Sequence, residues 1–82
     1  MSWTTENYPR VREHLPERHR AVFDQMANDG RRIREALNGE PITPTLRHWI
    51  HACDTAKVPL VACHTLRLDY VTAAFEARHG NN

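Results

Sequence analysis

Several residue types are scarce in this 82-residue sequence: it has one serine (Ser2), one lysine (Lys57), three glycines and two cysteines. Each scarcity excludes something. With Ser2 alone there is no serine nucleophile to join a histidine and a carboxylate, and the scattered Gly30, Gly39 and Gly80 build no phosphate-cradling loop. Cys53 and Cys63 are too few for a disulfide scaffold and suit a reducing compartment, so a cytoplasmic location is expected. No apolar run approaches the ~18 residues of a membrane span, and the first residues lack a basic-then-apolar signal; neither a membrane nor a secretory protein is expected. Strand signals are also thin. Apolar and polar residues nowhere alternate for the length of a strand, whereas nine alanines favour helix.

What is present is a nearly balanced charge. Eleven Lys and Arg face ten Asp and Glu, a formal charge of +1, which excludes a polyanionic tail or a histone-like polycation. Ten of the eleven cations are arginine, whose planar fork suits carboxylate or phosphate recognition. A chain this short buries only about 60% of its unfolded surface, enough for one core.

The expected architecture is therefore all-α: a small single-domain bundle of three longer helices plus a short N-terminal helix or turn over residues 1–15. Prolines punctuate it. Pro9, Pro16, Pro44 and Pro59 each read as helix starts, because proline fixes φ and suits a first turn. The first long helix is expected over 16–38, its phase carrying through Asn28-Asp29-Gly30 on an apolar arc of Val22, Phe23, Met26, Ile33 and Leu37. The alternative is a break at Gly30. The second, 43–57, has Thr43 as cap, Pro44 at the first helical position and Leu46, Trp49, Ile50 and Cys53 at i, i+3, i+4, i+7. The last, 59–79, starts at Pro59 or at Thr65 and is apolar around most of its circumference, leaving only Thr65, Asp69, Thr72 and Glu76 as a polar strip. Such a helix is either central in its bundle or shared with a partner. Trp49, Ile50, Val22, Met26, Leu37, Leu68, Val71 and Phe75 are the expected core.

Candidate chemistry is sparse. His48, His51, Cys53, Cys63 and His64 cluster in sequence, but on the second helix the imidazoles and the Cys53 thiol point in opposite directions, so no zinc site and no other metal or cofactor is expected. A buried thiol is a poor nucleophile, and no catalytic residue is assigned. The second and third helices resemble a helix-turn-helix in outline, yet Asp69 and Glu76 on the outer strip would meet phosphates unfavourably.

The charged candidates are arginines. On a continuous first helix, Arg20, Arg31 and Arg34 share one face, partly offset by Asp24 and Glu35 at i, i+4. Arg67 and Arg78 fall in the apolar arc of the last helix, where a guanidinium snorkels, pairs internally or meets another chain. These features favour a non-enzymatic protein that binds another protein as an inhibitor or adaptor, of the kind phages and mobile elements encode. Arg20, Arg31, Arg34 and Arg67 are the contact candidates, and homodimerisation through the last helix would relieve the limit of size. The alternative is a small nucleic-acid-binding regulator using the arginine face of the first long helix.

Overall fold

A computed structural model describes residues 2–79. The fold is all-α, with five helices and no strand among the described residues: α1 (Trp3–Arg12), α2 (Glu17–Asp29), α3 (Ile33–Leu37), α4 (Ile42–Ala56) and α5 (Thr65–His79).

Two starts differ from the proline reading. Pro9 lies inside α1, on its exposed side, and the helix is instead capped by Ser2, whose Oγ accepts the Thr5 N–H at 3.1 Å. Pro59 starts nothing: 58–62 is non-helical, and α5 begins at Thr65. The expected 59–79 helix is shorter at its front because two indoles claim the carbonyls there. Trp3 Nε1 donates to Pro59 O at 3.0 Å, and Trp49 Nε1 donates to Val61 O at 2.8 Å. Side chains distant in sequence thus supply the partners that a helix would have supplied.

The expected 16–38 helix is broken at Gly30. Gly30 adopts φ +70, its N–H reaches back to Gln25 O, and α2 ends there in a left-handed cap. The chain then turns through Arg31 and Arg32 into the five-residue α3, whose start is capped by Glu35 Oε1 accepting the Arg32 N–H at 2.8 Å. The apolar phase across the break is genuine but serves two helices. α4 spans the predicted 43–57 stretch within a residue at each end, but it starts at Ile42 after Pro41 with no side-chain cap, so Thr43 lies inside the helix and is not its cap; it closes at Lys57, also left-handed at φ +57.

The core gathers around Trp49. Phe23, Trp3 and Tyr8 surround its ring at centroid distances of 4.8, 5.8 and 6.4 Å. Val11, Leu15, Met26, Ala52, Cys53 and Leu66 complete it, all buried. Thr45, buried among them, uses its hydroxyl on His19 Nδ1 at 3.1 Å. Half of the expected core is confirmed or nearly so: Trp49, Met26 and Leu37 are buried and Val22 is half-buried. Ile50, Leu68, Val71 and Phe75 are not in it; all four are exposed.

The reason lies in α5. Its first turns lie against α2 and α1, with Leu66 as its one buried residue. Asp69 is tied to α1, its carboxylate accepting both the backbone N–H and the hydroxyl of Thr4. Beyond Asp69, every described residue from Tyr70 to His79 is exposed. The Cα radius of gyration is accordingly 12.9 Å, against about 12 Å for a compact chain of this length.

Candidate partner-binding surface

Val71–His79 is a helical arm whose apolar side is covered by no other described residue, while Tyr70 at its root sets its ring against Gly30. Leu68, Val71 and Phe75 are 48%, 42% and 61% exposed. With His64 before them and Arg78 after, they recur at alternating intervals of four and three, the spacing of a helix–helix seam. The Phe75 ring lies 4.2 Å from the His79 ring, centroid to centroid.

The arm continues into a groove. Ile33 of α3, Ile42, Leu46 and Ile50 of α4, and Leu60 and Val61 of the 58–64 connection line an open apolar trough of about 580 Å³, floored by Trp49. Ile33 and His64 also border a second depression of about 360 Å³ shared with Met26, Arg32, Arg34, Arg67 and Leu68. Leu60 and Ile50 at one end and Phe75 at the other are therefore joined by an unbroken succession of lining and stripe residues.

The sequence-derived arginines do not form one face. Arg20 turns back into its own fold, where Nη2 donates to Leu15 O at 3.1 Å; its buried Nε has no partner among the described residues. Arg31 is exposed at the corner after Gly30 and does not line the second depression. Arg34 does line it, together with Arg67 from α5. Among the described residues Arg67 makes no ion pair: its Nε donates to Gly30 O at 2.9 Å, satisfying a carbonyl at the C-terminal end of α2. Arg32, not singled out from sequence, completes the set. Its placement depends on the break at Gly30, which a continuous wheel does not contain. The expected pairings of Asp24 with Arg20 and of Glu35 with Arg31 are replaced by others. Asp24 binds Arg12, with Nη2 to Oδ2 at 2.8 Å, and accepts the Tyr8 hydroxyl at 2.6 Å. Glu35 caps α3.

These contacts set the titration behaviour. Burial alone would raise the Asp24 carboxyl, but hydrogen bonds from Arg12 and Tyr8 and the charges of Arg12 and Arg20 outweigh it and hold it below its ordinary value. The Tyr8 hydroxyl is pushed far up by burial and then by Asp24. His19 is lowered by burial and by the neighbouring charges of His48 and Arg18, with the two imidazole rings 4.3 Å apart. Burial pushes the Cys53 thiol up to about 11 and raises Cys63 as well, so both are protonated near neutrality and weak as nucleophiles. Among the described residues, no three His, Cys, Asp or Glu side chains converge to hold a metal ion, and no helix is long and apolar enough to cross a membrane.

No protein-family model matches the chain, and no curated protein or solved structure is significantly similar to it.

Proposed function

We propose that this chain is a non-enzymatic protein-binding module, acting as an inhibitor or adaptor through the exposed side of α5 and the groove beside it. One observation carries the reading: the apolar stripe Leu68, Val71 and Phe75 lies outside the core on a helical arm that its own fold leaves uncovered. Isolated helices shorter than about 12–15 residues are marginal in water. An arm of this kind gains its order from burial of its apolar side against another chain. Apolar side chains three and four apart on a helix are also the anchors by which a helix docks in a partner's groove.

The nucleic-acid alternative rested on Arg20, Arg31 and Arg34 sharing one continuous helix. The break at Gly30 and the inward hydrogen bond of Arg20 remove that geometric argument. Self-pairing through α5 is the other way to cover the stripe.

The test has two parts. Affinity purification from the native host identifies a partner, and binding is then reconstituted from purified components with wild type and Phe75→Glu. The reading expects direct binding that the substitution removes. Reconstituted binding indifferent to the arm contradicts it. Light scattering of the isolated chain distinguishes self-pairing, which gives a dimer whose mass falls to that of a monomer in Phe75→Glu.

A further inference from the structure

The groove beside α5 is apolar along most of its length and cationic at one end, and that asymmetry narrows its occupant. The trough is lined by Ile33, Leu46, Ile50 and Leu60. The adjoining notch holds Arg32, Arg34 and Arg67 with His64, and no carboxylate lines either depression. Among the described residues, the guanidinium groups of Arg32, Arg34 and Arg67 have no carboxylate within salt-bridge distance; the one ion pair is Arg12–Asp24, on α1 and α2. Glu35, the nearest acid in sequence, is engaged with the Arg32 backbone N–H.

Arg67 is fixed in place. Its Nε is held on Gly30 O and the residue lines the notch, so its guanidinium loses little further side-chain freedom on binding.

We propose that this groove receives an acidic amphipathic helix of a partner protein, its apolar side on Ile33, Leu46, Ile50 and Leu60 and its carboxylates on Arg32, Arg34 and Arg67. The inference rests on the protein-binding reading and gives the partner its chemistry. Ile33 and His64 border both depressions, so the apolar floor and the guanidinium groups are neighbours. A helix meets such a pair of surfaces with residues three and four apart, which lie about 5–6 Å from one another on its face. Arg–carboxylate contacts are bidentate and directional, and fix the polarity of the bound helix. A nucleic-acid backbone would satisfy the arginines and leave Ile50, Leu46 and Leu60 facing solvent; a peptide covers both.

A displayed library of amphipathic helical peptides with randomised surface positions tests this against the full chain. The comparison protein is Arg32→Gln/Arg34→Gln, which leaves the Arg67–Gly30 hydrogen bond intact; circular dichroism confirms that it folds. The expected result is enrichment of peptides carrying Glu or Asp beside their apolar stripe. Their affinity should drop about tenfold or more in the double variant and decline with added salt. Enrichment of neutral or basic peptides, or equal binding by the double variant, overturns the inference while the protein-binding reading stands. No enrichment at all overturns the inference. No enrichment together with salt-sensitive binding of a 20-base-pair duplex DNA, lost in the double variant, overturns both.

Discussion

Trp49 holds the fold together twice, through its ring and through its indole N–H. The ring meets Phe23, Tyr8 and Trp3, while Nε1 fixes the non-helical connection at Val61. A chain of this length has about 4–12 kcal/mol of total stability. Phe23→Ala, at a fully buried site against that ring, should cost about 3–5 kcal/mol, a large fraction of the total. The urea midpoint should fall in proportion, losing about a quarter or more of its wild-type value. Phe75→Ala, exposed on the arm, should change the same midpoint by no more than about 0.5 kcal/mol in stability. Asp24 contributes a pH dependence whose sign is determined. Its folded pKa is lowered, so its stabilisation is complete above the unfolded carboxyl value of about 3.9 and is lost as the pH falls through the folded value. The urea midpoint of the wild type should decline below about pH 4, and Asp24→Asn should flatten that decline. A steeper acid loss in the variant would contradict the role given to Asp24.

The elements are delimited by left-handed residues, and these are where backbone substitutions should act. Gly30 sits at φ +70, and a Cβ there would lie 2.5 Å from Tyr70 Cδ1, so Gly30→Ala meets both backbone strain and the α5 ring. The left-handed conformation alone costs about 1–2 kcal/mol in a residue bearing Cβ. Gly39, at φ +91 with nothing near its would-be Cβ, bears the strain without the clash. Thermal unfolding should place Gly30→Ala below Gly39→Ala. The converse change is stabilising: Lys57 already occupies φ +57 at the end of α4, and Lys57→Gly should add about 1 kcal/mol. α4 was legible because its signals agree: the stripe of Leu46, Trp49 and Cys53, proline in its first turn, and Val58-Pro59 beyond its end. The break at Gly30 is legible only as an alternative, since the apolar phase of α2 happens to continue into α3. Periodicity does not decide between a start at Pro59 and one at Thr65, because it carries no information about Trp3 and Trp49, whose indoles take the Pro59 and Val61 carbonyls and leave 58–62 non-helical. Arg32 was overlooked for a related reason: its position in the notch follows from the turn that the break creates.

At the scale of the molecule, the departures converge on one feature. Leu68, Val71 and Phe75 look like core residues in sequence, because hydrophobic periodicity records which side of a helix is apolar and not whether anything covers it. In the fold that side is uncovered, and it runs into a groove whose far end is apolar and whose notch is cationic. The near-neutral total charge conceals this arrangement: the Arg12–Asp24 pair is internal, Asp69 is spent on α1, and Arg32, Arg34 and Arg67 cluster at one place. The central claim is that this surface is made to meet another chain. Its most direct test is the equilibrium affinity for the partner recovered from the native host, measured for wild type and for Leu68→Glu/Phe75→Glu. The prediction is a loss of about 100-fold or more with the unfolding transition unchanged, as expected when anchor side chains lie in an interface and outside the core. Unchanged affinity, or a collapse of the fold itself, would contradict it.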